Sequence, residues 1–541
     1  MTAVDAYFSL FRSAPDDQLL MTVIVGDRRD AVTWGQFRRM CYHLAGEMRR
    51  RGVGPDDVVL IFYPHQRWLI PTFVAAQLIG AIPSFMSPIS PRQDPALFRS
   101  SHAQLIESLR PALICADRAT AAALDAHRMR RLMLEELDGI EPIASDVWWE
   151  PGCGAALLQH SSGTTGLKKG VVLSYDTIMA QLDGYRRALE MDGTETIVSW
   201  LPVYHDMGLI TATLLPLVTG VPLIAMGAFE WLMRPWRLLE EMGSAPRPLS
   251  WLPNFSFALL ARTAKRAPPD LRLDHVRGFI NCSEPCKPAI VDQFLETFAG
   301  HGVRPDQMQT CYAMAENVFA VSQSRLGQRI RRWTPRGNAG ARSGPLLSCG
   351  RCIDGVRVEV RDDAGTRLPE GVVGELFVSG TSLFDGYRGQ PGLTASKLRG
   401  GWYATGDLGA LDEGEIFVAG RRDDLIIVAG RSLYAHDLEE EVSRVAGVRP
   451  GRVCAFGAEN EQTGTEDLVV LAELAPEAGP RAPIERGVRE RLADVVLVSS
   501  AKVVMLPPDT LIKTTSGKVS RKDNRARFER DSLVPWRGEA R

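Results

Sequence analysis

The reading turns on SSGTTGLKKG, residues 161–170. It lies between two apolar runs, 155–158 and 171–173, that read as strands. Inside it the hydroxyl pairs Ser161/Ser162 and Thr164/Thr165 alternate with Gly163 and Gly166. Glycine permits tight turns and close backbone approach, and successive exposed amides with hydroxyls make an anion cradle. Lys168 and Lys169 put positive charge beside it. The stretch therefore reads as a phosphate loop, although alone it also suits a Gly/Ser-rich surface turn. It is not a Walker A loop, which ends in Gly-Lys-Ser/Thr; here Gly170 follows the lysines.

Working outward, 541 residues are too many for one core and predict two or three domains. The 63 basic and 65 acidic residues leave a net charge of −2, so no bulk electrostatic case for nucleic acid exists. Nine scattered cysteines, an odd number without a regular framework, point to a reducing cytoplasm. The N-terminal MTAVDAYFSLFRSAPDD lacks the basic-then-apolar order of a signal peptide. The apolar run 211–229 is interrupted by Pro216, Gly220, Pro222 and Gly227, which predicts two buried segments and a turn in place of a membrane span. The expectation is a soluble cytoplasmic protein without membrane insertion, monomer or homodimer.

Helical and apolar strand patterns alternate from residue 31 to about 311. They include an amphipathic helix over 31–50, a strand at 56–62, a helix at 68–78 and a strand at 276–280. This predicts α/β layers with sheets covered on both faces. From 355 the texture becomes a hairpin meander. After GRRDD, 420–424, it returns to mixed helix and strand. The fold class expected is α/β: a large N-terminal domain, 1–420, with a small β-barrel-like subdomain, then a small mobile α+β lid, 421–541.

Six further stretches carry chemistry. SWLPVYHDMGLI, 199–210, ends a strand and offers His205 as a base, an aromatic wall or a packed helix-start residue. NCSEPCKPAI, 281–290, and QTCYAMAENVF, 309–319, follow strands; the second carries Glu316, a carboxylate suited to magnesium beside phosphates. YATGDLG, 403–409, and GRRDDLIIVAGRSLY, 420–434, supply Asp407 and Arg421, able to face ribose hydroxyls or a phosphate. TTSGKVSRKD, 514–523, holds Lys518 between a glycine turn and a basic run, where a solvated loop lysine is the plain alternative.

In this order the motifs resemble those of the adenylate-forming superfamily: acyl-CoA synthetases, luciferase-like enzymes, peptide-synthetase adenylation domains and fatty acyl-AMP ligases. The resemblance runs from about 30 to 525, and WLPVYHDMGLI with GRSLYAHDLEEEV look most like the fatty acyl-AMP ligase branch. It implies ATP- and magnesium-dependent activation of a carboxylic acid, apolar in character, to acyl-AMP and pyrophosphate. The acyl group then passes to the phosphopantetheine thiol of an acyl carrier protein; coenzyme A or a non-thiol acceptor is the alternative. By the same resemblance Ser161, Ser162, Gly163, Thr164, Thr165, Gly166 and Lys169 hold the β and γ phosphates. Glu284 and Pro285 lie beside adenine and Tyr312 stacks on it. Glu316 holds magnesium, and Asp407 and Arg421 meet the ribose. Asp423 is the hinge, Lys518 bridges carboxylate and α-phosphate, and His205 stands at the acyl pocket mouth. Departures from the family pattern are Lys168 for proline, Tyr175 for histidine, Ala313 for glycine, Ala315 for threonine and Ala435 for proline. The acyl pocket is expected between His205, 226–234, Asn254/Phe255 and Asn281/Cys282, with Phe229, Trp231, Trp251 and Phe255 as an aromatic wall.

Overall fold

The computed structural model describes residues 2–90, 95–126, 129–137, 154–161, 169–335, 344–428, 431–460, 465–496, 501–514, 518–530 and 532–533. The helix expected over 31–50 is Trp34–Arg50. It starts late because Arg28–Thr33 is a strand, paired antiparallel with Leu19–Val25. Thr33 ends the strand and caps the helix: its hydroxyl accepts from the Gln36 N–H at 3.4 Å, while Gln36 Oε1 accepts from the Thr33 N–H at 3.0 Å. This reciprocal box satisfies two orphan donors of the first turn. Phe37, Met40, Cys41, Leu44, Ala45 and Met48 form the buried stripe, and helix Leu69–Leu78 is buried all round.

The largest sheet has nine strands among the described residues. Six run parallel, in spatial order Met308–Ala313, Gly278–Asn281, Pro248–Leu252, Thr196–Ser199, Leu223–Met226 and Leu19–Val25. From Thr196–Ser199 the chain steps to one side, into Leu223–Met226. It then crosses back to Pro248–Leu252 and continues the other way. The order reverses between Thr196–Ser199 and Pro248–Leu252, and in an open α/β sheet ligands bind beyond the strand ends at such a point. These two strands pair only through Pro248↔Thr196 and Leu249↔Ile197, so their C-terminal ends are unpaired and leave a crevice. The apolar run 211–229 divides as expected. A π-helical turn Ile210–Leu214 and helix Leu215–Thr219 stop at Gly220, φ 75°, before the strand Leu223–Met226.

Around this sheet stand a parallel four-stranded sheet, from Val58–Phe62 to Arg131–Met133, and a hairpin of Ala155–Ser161 with Lys169–Ser174. A five-stranded antiparallel sheet from Val356–Arg361 to Glu415–Arg421 curls as a half-barrel. The smaller C-terminal domain has its own core, Ile426, Leu433, Leu438, Val470, Val488 and Met505, on a three-stranded sheet. Between the half-barrel and this core the chain makes a short 3-10 turn, Arg422–Asp424. A helix spans Pro95–Leu109, and the strand expected at 276–280 is Gly278–Asn281. No described helix is long and apolar enough to cross a membrane.

Candidate active site

The loops that leave the parallel strands build one rim. Beyond Thr196–Ser199, Pro202 and Leu201 are followed at once by helix Asp206–Leu209. The turn is tight because Gly208 packs on it: a Cβ there would lie 2.2 Å from the Pro202 carbonyl oxygen. His205 is the N-cap of that helix, and its ring meets Tyr204 edge-on at 4.8 Å. Asp206 is partly buried. Burial raises its pKa, the Lys518 ammonium opposes the rise and Glu316 adds to it. Sequence reasoning passed over Asp206 although its neighbour was singled out.

Beyond Gly278–Asn281 the backbone turns through Ser283, φ 70°. The Ser283 carbonyl accepts a hydrogen bond from Lys518 Nζ. Lys518 belongs to the small domain, where its carbonyl accepts from the Thr514 N–H at 2.7 Å. One residue on, a Glu284 carboxylate oxygen accepts from the Phe255 N–H at 3.1 Å, in the first turn of helix Asn254–Thr263. An anion there meets the positive end of the helix dipole. Pro285 is exposed. Lys287 forms an ion pair with Glu440 of the small domain at 2.9 Å. Burial alone would raise the Glu440 pKa, but Lys287 and Arg444 hold it below the ordinary value.

Glu316 sits in the turn after Met308–Ala313. The Phe319 N–H donates to the Asn317 carbonyl at 2.6 Å around Val318, which has φ 60° and ψ −56°. This γ-turn is strained for a β-branched residue. Tyr387 Oη donates to Glu316 Oε1 at 2.7 Å and lies 3.2 Å from Tyr403 Oη. Lys169 Nζ stands 5.3 Å from the Tyr387 ring centre, and burial lowers its pKa against the pull of Glu316. Nothing in the sequence pattern marked Tyr387, and Tyr403 opens the 403–409 stretch that was read for Asp407 alone. Glu316 fits a hard cation, and no described group of three or more His, Cys, Asp or Glu is arranged to hold a metal. Magnesium here would therefore be held by Glu316, substrate phosphates and water.

Across the rim, Asp407 faces Arg421 in the register of the half-barrel. Tyr312 Oη donates to Asp407 Oδ2 at 2.6 Å and Arg421 Nε to Oδ1 at 3.0 Å. Burial raises the Asp407 pKa while Arg421 opposes it; in turn Asp407 is the main reason the Arg421 pKa rises. Ser161 ends its strand opposite Lys169. Ser162, Gly163, Thr164, Thr165 and Gly166 lie outside the described residues.

The expected aromatic wall needs correction. Trp251 is turned away: it is buried and its indole N–H donates to Tyr185 Oη at 2.6 Å. Phe229 is 64% exposed. Trp231 instead stacks on Trp200 at 4.0 Å and 5°, with Phe255 against both. Asn254 and Asn281 are joined by a 2.9 Å hydrogen bond. The cysteines of the motifs are free thiols, Cys282 and Cys311 buried and Cys286 partly so.

A family model for AMP-binding enzymes matches residues 11–388. The 4-hydroxyphenylalkanoate adenylyltransferase of Mycobacterium marinum is 30% identical over 576 residues, covering 93% of this chain and 87% of that protein. The long-chain-fatty-acid–AMP ligase FadD26 of Mycobacterium bovis is 29% identical, covering 93% and 92%. A chain from structural and functional studies of fatty acyl-adenylate ligases from E. coli and L. pneumophila superposes with a TM-score of 0.87. It covers 98% of both chains at 24% identity, a likeness of fold. The chain belongs to the AMP-binding enzyme family, within the adenylate-forming superfamily. It is an ATP-binding ligase whose general reaction is the formation of an acyl adenylate.

Proposed function

We propose that the protein activates an apolar carboxylic acid as its acyl-AMP and hands the acyl group to the phosphopantetheine thiol of a carrier protein. A carboxylate oxygen attacks the α-phosphorus of ATP, the bond to the β-phosphate bridging oxygen breaks, and pyrophosphate leaves. The protein's part is to position the two anions and offset charge that grows at the α-phosphate. The observation that carries this reading is Lys518: its ammonium, borne on the small domain, docks on the Ser283 carbonyl at the strand-end rim, close enough to influence Asp206. A lysine delivered by a separate domain supplies charge only when that domain is closed. Tyr312 and Arg421 orient Asp407 for the ribose, and Tyr387 orients Glu316. Magnesium held by Glu316, when bound, neutralises the phosphates. Ser161 to Gly166 with Lys169 is the proposed phosphate loop, and Glu284 with Pro285 the proposed adenine edge. His205 is the proposed guard of the acyl entrance. The boundary is proposed at 420/421, with Asp423 as hinge for a rotation that exchanges the lysine for a thiol-accepting face.

The acceptor rests on the fatty acyl-AMP ligase look of 199–210 and 430–442, and on the relative FadD26, which is named for an AMP product. Lys518→Ala is expected to lower pyrophosphate release by about 100-fold or more, because the ammonium acts mainly in the transition state, while ATP affinity changes little. Wild-type pyrophosphate exchange in the variant would remove the role. Mass spectrometry with coenzyme A and a phosphopantetheinylated carrier in separate reactions tests the acceptor. Acyl-CoA formed as fast as the loaded carrier defeats the carrier assignment. Acyl-AMP that accumulates with both thiols points to a non-thiol acceptor.

A further inference from the structure

A narrow apolar cavity lies one strand away from the crevice. Its floor is a row across three parallel strands in register, Val23, Ala225 and Ser199. Two of these side chains are small, which leaves the floor open. Ala212, on the π-helical turn Ile210–Leu214, leaves one flank open in the same way. Such turns recur at functional sites. Leu69 and Ile70, at the start of the buried helix, help to roof it. Leu201 and Val203 close the end from which the chain runs directly to His205 and Asp206. The cavity thus borders the chain segment that continues to His205 and Asp206.

One lining group does not suit a hydrocarbon. The Gln66 side-chain oxygen is engaged, accepting from the Trp68 N–H at 2.5 Å. Its Nε2 is buried with no hydrogen-bond partner. The other polar lining groups have partners: His65 Nε2 lies 3.2 Å from the Ile24 carbonyl oxygen, and Ser199 Oγ accepts from the Leu201 N–H at 3.1 Å. A buried amide donor left unmet is costly, whereas one met by a ligand becomes a selector.

We infer that Gln66 reads an oxygen on the acyl chain, so that the acids taken are aliphatic carboxylic acids bearing an oxo, hydroxyl or ether oxygen within the chain. This rests on the adenylation reading above. A plain alkyl chain covers the Gln66 amide without bonding it, while an oxygen at the matching depth accepts its N–H. Among the lining groups the Gln66 Nε2 is the buried atom left with no partner, so the oxygen it meets sets a position along the chain.

The test is a panel of acids of one chain length, unsubstituted or carrying a single oxo or hydroxyl group at successive positions, with kcat/KM read by pyrophosphate release. The wild type is expected to favour one position over the unsubstituted acid by roughly 10-fold or more. In Gln66→Met that ratio should collapse towards 1, whereas general damage to the fold lowers both rates and preserves the ratio. Ala225→Leu, which fills the floor, should raise KM for the preferred acid at least 10-fold. A wild-type ratio near 1 at every position, with brisk pyrophosphate release, overturns the inference alone, as does an unchanged ratio in Gln66→Met. No pyrophosphate release from any acid overturns the adenylation reading and this inference with it.

Discussion

Val318 shows how a single residue trades stability for position. Its γ-turn directs the chain two residues beyond Glu316 and stores about 1–3 kcal/mol of backbone strain. Its side chain is fully buried, a contribution of about 2 kcal/mol. Val318→Gly relieves the first and forfeits the second, so the two effects nearly cancel. A melting temperature within a few degrees of wild type is expected, together with pyrophosphate release lowered about 10-fold as Glu316 loosens. A clearly destabilised variant of normal activity would contradict this. His65 carries the pH dependence at the same scale. Burial pushes its pKa down to about 4, against 6.5 for a free imidazole, partly offset by the Ile24 and Ala225 carbonyls. The unfolded chain therefore binds the proton more readily. The stabilisation is complete above pH 6.5, is lost as pH falls towards 4, and changes no further below that. Roughly 3 kcal/mol is at stake across this window. Denaturation of wild type and His65→Gln at pH 7.5 and 4.5 should show the larger loss in wild type; equal losses would mean that the imidazole is already charged in the fold.

At the scale of elements, the tight approach of helix Asp206–Leu209 to its own strand makes a sharp demand. In Gly208→Ala the new methyl meets backbone at 2.2 Å, which no side-chain rotation relieves. The expected cost is about 1–3 kcal/mol, or a fall of roughly 1–3 °C in melting temperature for a chain this long, with KM for the acid raised as His205 and Asp206 shift. An unchanged KM would show that the turn tolerates the displacement. The demand also bears on what the sequence discloses. The helix Trp34–Arg50, the strands flanking residues 162–168 and the break at Gly220 were legible because each is written in local periodicity or in a glycine. The strand Leu19–Val25 was not. Its place beside Leu223–Met226 joins residues two hundred positions apart, and no local pattern records that pairing. The site divides the same way. Glu316, Asp407, Arg421 and Lys518 stood in motifs, and Asp407, Arg421 and Tyr312 do meet. The misreading of Trp251 arose because strand periodicity gives which residues share a face but not which face the ligand uses. Tyr387 reaches Glu316 from another sheet altogether.

At the scale of the whole molecule, charged groups join the two domains at the rim. Lys287 with Glu440 is partly buried and is therefore worth more than an exposed pair. Lys287→Glu turns attraction into repulsion and should favour the open arrangement. The adenylation rate is expected to fall about 3–10-fold at low salt and to recover in part as screening increases, with transfer from preformed acyl-AMP little affected. A loss independent of salt would place the role of Lys287 elsewhere. Away from the rim, Arg521 is fastened at once to Asp424, to Glu439 and to the Ala455 carbonyl. Arg521 lies three residues from Lys518, and Asp424 lies in the 3-10 turn proposed as the hinge. In the proposed rotation this fastening would act as a crank: a twist at the turn would pass to Lys518 through the packed small domain, so the travel of that lysine's backbone would follow the domain as a body.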